Sequence, residues 1–492
     1  NQEVTIDASF LGDKGDSLSF QNTIMRSGYC YRFAWTQSHT SGQALFKLPV
    51  SPMLSTISSN TFFVAPTPLA YSSLLFQAWR GSLVYNVVIP ANRFVRGKLR
   101  VYWSPSSTAS SINIVTNNAL SVLIDLTQTI DMDITVPYLA ETLYKAVSNF
   151  HDNTLIDERF INGFLHFVVE EPLIVNNSTW TAQILIHIRA DHNFELAIPT
   201  NANLNSVYYS SFTPGNGIHQ SALQNQQNPP TTKADNTLWY EQTSSGTDSN
   251  DVNPLLTSGV NLFPEASFDG KPALIHIGER IPSLRPLLKR FSPLTVYDGF
   301  EATMPGYMYN YFIPYYPQPQ YTIVNNNTGN FIVTPYLNTP TTYLSRMFGG
   351  MRGTMRYGIS DDDGSSVDYM YAQRAYGYDY NITYFDMKLA NLSIFNSMYR
   401  YGQNLFRKEY EPLVIDLPYQ NAHWFYPTAI AITATYTGTT ADEQGLGVQK
   451  YGLMISERNV NANQKEKYIT QAVGEDFQFV IYNGPPIIYS RI

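Results

Sequence analysis

Asp191 and His192 stand side by side and have the residue types of two thirds of a hydrolase triad. The serine of such triads commonly lies in a Gly-x-Ser-x-Gly turn. None of the 492 residues forms that turn, so we expect no catalytic residues here.

Glu170 and Glu171 are the second candidate, as a paired general acid and base. They end a predicted strand, in which adjacent side chains point to opposite faces. We therefore expect the two carboxylates to diverge. Cys30 is the single cysteine, which excludes an intrachain disulfide and a cysteine metal cluster.

Asp361, Asp362 and Asp363 precede Gly364 and form the weak metal candidate of the chain. Hard divalent cations prefer several carboxylates on a flexible loop. A solvated turn is the alternative, because Asp and Gly are common turn residues. No phosphate-loop motif is present, and no cofactor is expected.

A dense basic cluster comprises Arg280, Arg285, Lys289 and Arg290. Such a cluster could neutralise nucleic-acid phosphates or pair with carboxylates of neighbouring chains. The sequence leaves both open, and the residues that could extend the cluster are Arg346, Arg352 and Arg356. The net charge of -8 argues against a chain whose main task is gripping a phosphate backbone.

The composition favours a β-rich protein that assembles. Hydrophobic residues make up 43% of the chain and aromatic residues 14%, whereas only 14% are charged, against about 25% in typical proteins. Uncharged surface costs less to desolvate against a neighbour. The length predicts two domains, since single cores stop growing at about 250–300 residues.

Short segments rich in Val, Ile, Thr, Tyr and Phe recur between turn residues, and no long amphipathic helix pattern occurs, which predicts an all-β fold. Predicted strands in the first half are Tyr31–Thr36, Leu74–Ile89, Lys98–Trp103, Asp131–Pro137, Gly163–Glu171 and Thr181–Ile188. Those in the second half are Gly306–Pro314, Gly350–Ile359, Leu413–Tyr419, Ala429–Thr437, Tyr451–Glu457 and Phe477–Tyr482. A stretch rich in Ser, Asn, Gln and Pro separates the halves and predicts a linker.

Three short motifs occur twice in the same order, which predicts one fold used twice. Their reference positions are the pairs Gly81 and Gly353 (offset 272), Pro137 and Pro418 (offset 281), and Phe194 and Phe477 (offset 283).

The motifs WRGSLVY and MRGTMRY (residues 79–85 and 351–357) resemble the Arg-Gly motif of jelly-roll coat domains in picorna-like viruses, where it belongs to strand C. Residues 32–54 look like strand B and its exit, and residues 97–105 like strand E. Residues 278–292 resemble the segment before the last coat domain of insect and algal picorna-like viruses, and residues 475–486 resemble its final strand.

The resemblance implies a capsid protein with two tandem eight-stranded antiparallel jelly rolls. We expect an N-terminal arm (residues 1–29), a first jelly roll (30–200), a linker or surface excursion (201–270) and a second jelly roll (271–492). The implied role is a self-assembling icosahedral pseudo-T=3 shell around positive-strand RNA. Candidate assembly or RNA-facing residues are Arg80, Arg280, Arg285, Lys289, Arg290 and Arg352.

Expected partners are other copies of the chain, a further jelly-roll coat protein from the same polyprotein, the packaged viral RNA and an unidentified host receptor. The expected location is the virion, assembled in the host cytoplasm. No membrane-spanning segment is expected, because no run of about 18 apolar residues occurs. The alternative is a tandem β-sandwich that binds carbohydrate or hydrolyses glycosides, which would need paired carboxylates at about 5–10 Å.

Overall fold

The structure is a computed structural model. It describes residues 16–57, 63–91, 94–105, 121–128, 131–155, 157–175, 180–210, 258–261, 281–298, 308–315, 321–322, 337–361, 367–375, 402–405, 413–419, 425–428, 452–459, 466–486 and 488–490.

The first part of the chain is built from short strands and one short helix within these ranges. The elements are β1 (Gly28–Trp35), β2 (Ala44–Pro49), β3 (Ser55–Ile57), β4 (Phe63–Pro66), α1 (Pro68–Ser73), β5 (Phe76–Arg80), β6 (Leu83–Val88), β7 (Arg96–Ser104), β8 (Ser121–Asp125), β9 (Asp131–Val136), β10 (Lys145–Ala146), β11 (Phe164–Ile174), β12 (Ala182–Ala190) and β13 (Glu195–Pro199).

Two strands and a 3-10 helix (Ala202–Ser206) follow, and then the second part of the chain repeats the pattern. The elements are β14 (Val207–Ser210), β15 (Ser258–Asn261), α2 (Arg285–Leu288), β16 (Ser292–Asp298), β17 (Met308–Pro314), β18 (Tyr321–Thr322), α3 (Pro340–Ser345), β19 (Phe348–Arg352), β20 (Met355–Asp361), β21 (Val367–Ala375), β22 (Gly402–Leu405), β23 (Leu413–Leu417), β24 (Tyr426–Pro427), β25 (Gly452–Asn459), β26 (Glu466–Val473), β27 (Gln478–Tyr482) and β28 (Ile488–Ser490).

Each part contains two facing sets of four strands with the same order. The first part has β1-β12-β6-β9 and β2-β11-β7-β8, and the second has β16-β26-β20-β23 and β17-β25-β21-β22. Numbered along the chain, both read 1-8-3-6 and 2-7-4-5, and neighbouring strands are antiparallel. This is the jelly-roll order of two Greek keys, so the prediction of two tandem eight-stranded jelly rolls is confirmed.

Alternating burial explains why these segments form sandwich strands. In β12 the side chains of Ala182, Ile184, Ile186 and Ile188 are buried, whereas those between them are more exposed. Residues two apart on a strand share a face, so these four side chains point into the core. The largest fully buried residues include Trp35, Trp79, Tyr85, Tyr315, Tyr343 and Tyr357.

The structure corrects two predictions about the Arg-Gly motifs. Residues 74–89 do not form one strand, because Leu74 ends α1 and the chain turns at Gly81 between β5 and β6. In jelly-roll lettering from B to I, β6 and β20 are the third strands, so the motifs lead into strand D and not strand C.

Helices α1 and α3 were missed because each is only six residues long. Their start signals were present, since each has a threonine at the N-cap and a proline at the first helical position, where these residues are favoured. The predicted strand Ala429–Thr437 lies outside the described residues. Among the described residues, no helix has the length and hydropathy needed to cross a bilayer.

Candidate assembly site

The glycine of each Arg-Gly motif sits at a sharp corner between two strands. Gly81 has a φ of 108° and Gly353 has a φ of 105°. Residues other than glycine adopt this backbone region only at a cost in free energy. A Cβ atom would lie 2.4 Å from the main-chain oxygen of Asn193 at the first corner and 2.5 Å from that of Asp476 at the second. Glycine is therefore required twice by the same geometry.

A hydroxyl residue and a facing Asn or Asp close each corner. In the first domain, the Asn193 Oδ1 atom accepts a hydrogen bond from the Ser82 main-chain N–H at 2.8 Å, and the Asn193 Nδ2 atom donates to Ser82 Oγ at 2.9 Å. In the second, Asp476 Oδ1 accepts from the Thr354 main-chain N–H at 3.0 Å, and Thr354 Oγ1 donates to Asp476 Oδ2 at 3.0 Å. The hydroxyl is part of the sequence motif, whereas its partner was not found from the sequence.

The arginines of the two motifs, Arg80 and Arg352, are buried, with 8% and 5% of their surface exposed. The guanidinium carbon of Arg80 lies 5.9 Å from the ring centre of Tyr138, within range of a cation–π contact. This burial favours a role inside each domain over an RNA-facing position for these two candidates.

Arg285 of the basic cluster joins the two ends of the described chain. Its Nε and Nη2 atoms donate to Asp16 Oδ1 at 3.0 and 2.9 Å, and its Nη1 atom donates to the Phe477 carbonyl at 2.5 Å. Burial alone would raise the pKa of Asp16, but the Ser283 hydrogen bond and the Arg285 charge lower it. Asp16 is thus an ionised anchor for this arginine, at a position that was not singled out from the sequence.

The remaining cluster residues differ in their surroundings. Lys289 forms an ion pair with Glu475, and the hydrogen bond lowers the pKa of that carboxyl. Arg290 is exposed at the end of the segment, and Arg280 lies outside the described residues. Carboxylate pairing therefore accounts for Arg285 and Lys289, and these carboxylates belong to the same chain.

The prediction that the carboxylates of Glu170 and Glu171 diverge is wrong. A register shift in β11 at this point lets Glu170 pair with Arg100 at 2.8 Å and Glu171 pair with Lys98 at 2.7 Å. Arg100 and Lys98 are two apart on β7 and therefore share a face. The hydrogen bond from Arg100 lowers the pKa of Glu170, which is unsuited to a general acid.

The other chemical candidates have simpler roles. Asp191 Oδ1 accepts from the main-chain N–H of His192 at 2.8 Å, an arrangement typical of turns. Asp361 ends β20, while Asp362 and Asp363 lie outside the described residues. Within the described part of the chain, no group of three or more His, Cys, Asp or Glu residues is arranged to hold a metal ion.

Two buried histidines lie in the first domain. Burial lowers the pKa of His151 and of His166 to about 4 each. His151 Nε2 lies 3.0 Å from Ser51 Oγ, whereas the His166 ring stacks on Tyr102 at 4.7 Å. The positive charge of Lys47 also lowers the pKa of His166. Both rings are therefore neutral in the fold at neutral pH.

A sheet shared by both domains completes the site, in the order β18-β14-β28-β4-β3. Strand β28, from the end of the described chain, is antiparallel to β14 after the first domain and to β4 within it. Ile488 of β28 is fully buried. The side chain of Asn338 donates hydrogen bonds to the carbonyl of Leu204 at 2.9 Å and to the carbonyl of Val207, the first residue of β14, at 3.0 Å.

The described part of the chain therefore contains two jelly rolls joined by a shared sheet. Residues 270–492 match the family model described as CRPV capsid protein like. The chain is 25% identical over 205 residues to the genome polyprotein of deformed wing virus, covering 40% of this chain and 7% of that polyprotein. It is 22% identical over 314 residues to the structural polyprotein of cricket paralysis virus, covering 59% of this chain and 34% of the polyprotein.

Among solved structures, the Triatoma virus empty capsid is similar with 22% identity and a TM-score of 0.36, over 41% of this chain and 82% of that one. The chain spans 7% and 34% of the length of the two curated relatives above. The family and polyprotein matches confirm the predicted resemblance to picorna-like virus capsid proteins. The function they support is that of a structural capsid protein, located in the virion.

Proposed function

We propose that this chain self-assembles into an icosahedral pseudo-T=3 shell that encloses positive-strand RNA, and that it supplies two of the three coat domains of the repeating unit. The shared sheet supports this proposal, because strand β28 hydrogen-bonds to β14 and β4 and so ties the domains into one block. Closed shells need repeated interfaces of defined geometry. Two domains that moved freely about a flexible linker would not present such interfaces.

The proposed division keeps an arm at residues 1–29, jelly rolls at 30–200 and 271–492, and a linker or surface excursion at 201–270. Part of the proposed arm is described, and its Leu18 and Ile24 are fully buried. The main-chain N–H of Leu284 donates to the Leu18 carbonyl at 2.9 Å. These contacts support an arm that interlocks with the body of the protein.

The proposed partners are further copies of the chain, a separate jelly-roll coat protein from the same polyprotein, the viral RNA and a host receptor, with assembly in the host cytoplasm. Arg290 is the exposed residue of the basic cluster within the described chain. We propose it as the RNA-facing candidate, and we place Arg285 and Lys289 in the framework that presents it.

Co-expression of the chain with the third coat protein tests the proposal. We expect uniform shells that contain nuclease-protected RNA. Arg290→Glu is expected to reduce the RNA per shell while shells still form, whereas the control Arg96→Glu changes the charge equally at another exposed site and is expected to leave the RNA content unchanged. Dispersed protein without RNA under all conditions would contradict the proposal. The carbohydrate-binding or glycosidase alternative is not favoured by the family and polyprotein matches.

A further inference from the structure

Tyr71 of α1 and Tyr343 of α3 face each other across the boundary between the two jelly rolls. Their rings are stacked, with centres 4.0 Å apart and planes 6° from parallel. The Tyr71 hydroxyl donates to the Tyr343 carbonyl at 2.7 Å, and the Tyr343 hydroxyl donates to the Tyr71 carbonyl at 2.8 Å. Both residues are fully buried. We name this pair the tyrosine clasp.

The two tyrosines occupy the same position of the repeated fold. They are 272 residues apart, which is also the separation of Gly81 and Gly353 at the two corners. Each follows a threonine N-cap and a proline, and the cap oxygens of Thr67 and Thr339 accept from main-chain N–H groups at 3.1 and 3.2 Å. The clasp is therefore a contact between equivalent residues, made through equivalent atoms.

A contact in which one residue meets its equivalent reciprocally is what a two-fold axis produces. We infer that the two domains pack about a local two-fold axis between Tyr71 and Tyr343, and that the tyrosine clasp sets the angle between them. The surface around each tyrosine is then self-complementary, and its partner is the other domain of the same chain.

The geometry of the clasp resists sliding and tilting. A shift of either domain would separate the rings and break both hydrogen bonds, leaving two hydroxyls and two carbonyls buried without those partners. A buried polar group that loses its partner is costly. The two hydrogen bonds therefore favour one angle between the two domains more strongly than the apolar contact of the rings alone would.

The consequence for assembly rests on the proposed function. The angle between neighbouring domains determines the curvature of a shell, and the tyrosine clasp fixes one such angle before any second chain binds. The chain therefore joins the shell as a block of two domains, and its remaining surfaces form the contacts with other chains.

Hydrogen exchange of the full-length chain tests the local two-fold contact without assembly. Tyr343→Phe removes a hydrogen bond to the first domain, and we expect about fivefold faster exchange in residues 68–73, which belong to that domain. Tyr315→Phe is the matched control, because this buried hydroxyl donates to the Gly353 carbonyl at 2.5 Å within the second domain. If Tyr343→Phe changed hydrogen exchange in the second domain alone, the inference would be overturned.

Shell formation on co-expression with the third coat protein tests the effect on curvature. The double variant Tyr71→Phe with Tyr343→Phe is expected to form at least about tenfold fewer shells of uniform diameter than the unmodified chain, whereas Tyr315→Phe is expected to form uniform shells. Uniform shells in normal yield from the double variant, or equal loss in the control, would overturn the role in curvature. If the unmodified chain forms no shells, the proposed function fails, and hydrogen exchange still decides whether the clasp exists.

Discussion

Gly81 and Gly353 show how one residue type is dictated by a corner. Both have a positive φ. At both, main-chain atoms of the facing loop occupy the space that a Cβ atom would need. Positive φ costs a residue with a side chain about 1–2 kcal/mol, and the steric overlap adds to this because main-chain atoms are held by the surrounding strands. The two terms can be separated by experiment.

We predict that Gly81→Ala lowers the free energy of unfolding by about 3 kcal/mol or more. Gly42→Ala is the control, because Gly42 also has a positive φ of 79° but an added Cβ atom would meet nothing within 4 Å, and its cost should stay near about 1 kcal/mol. Denaturant unfolding of both variants measures the difference. Equal losses would show that overlap with the Asn193 loop is unimportant.

The partner of the hydroxyl residue also differs between the corners in an informative way. Asn193 and Asp476 make the same pair of contacts with opposite donor roles at the hydroxyl. We predict that Asp476→Asn changes the free energy of unfolding by less than about 0.5 kcal/mol, because the amide can donate to Thr354 Oγ1 as Asn193 does to Ser82. Asp476→Ala should lower the free energy of unfolding by about 1–3 kcal/mol. Thermal melting of the two variants compares them, and a larger loss in Asp476→Asn than in Asp476→Ala would contradict this prediction.

His166 makes stability depend on pH in a definite direction. Its pKa falls from 6.5 to about 4 on folding, so the unfolded chain binds more protons between these values and stability falls as pH falls through that window. We predict that His166→Phe flattens this dependence while keeping a ring on Tyr102. Melting temperatures from pH 7 to pH 4 measure it, with exposed His192→Phe as the control, and an unchanged slope in His166→Phe would contradict the account.

At the scale of elements, strand β28 determines how the domains are joined. Ile488 is fully buried in the shared sheet. We predict that Ile488→Ala lowers the free energy of unfolding by about 2–5 kcal/mol, whereas Ile174→Ala, at a side chain that is 64% exposed, should change it by less than about 0.5 kcal/mol. The denaturation midpoints of the two variants compare the positions. A small effect at Ile488 would show that β28 contributes little to joining the domains.

The strands were largely predictable because β-type residues and turn residues alternate along the chain. Segments with clear boundaries, such as Lys98–Trp103 and Asp131–Pro137, were found at β7 and β9. The break inside Leu74–Ile89 was not predicted, because the corner at Gly81 lies within one apolar run that directly follows a short helix. The repeat at offset 272 in fact includes Pro68 and Pro340, and following it further would have revealed both helices.

The site was less predictable than the fold, because it depends on which distant residues meet. The basic cluster was visible in the sequence, yet the pairing of Arg285 with Asp16 spans 269 residues. The tyrosine clasp likewise consists of two ordinary aromatic residues until the domains are placed together. Charge and aromatic content indicate that such contacts exist, but pairing is decided by the three-dimensional path of the chain.

At the scale of the whole molecule, two similar sandwiches are combined into one block by contacts at several places. The arm meets the second domain at Arg285, β28 enters the sheet shared with the first domain, and the tyrosine clasp joins the two helices. A chain with such internal ties loses less conformational freedom when it assembles than two separate domains would.

The most direct test of this account is electron cryomicroscopy of particles formed by the chain with its third coat protein. We predict an icosahedral shell in which each copy of the chain contributes two adjacent jelly rolls, with continuous density from β28 into the shared sheet. Particles in which the two domains lie apart, with β28 paired to a different chain, would contradict the account.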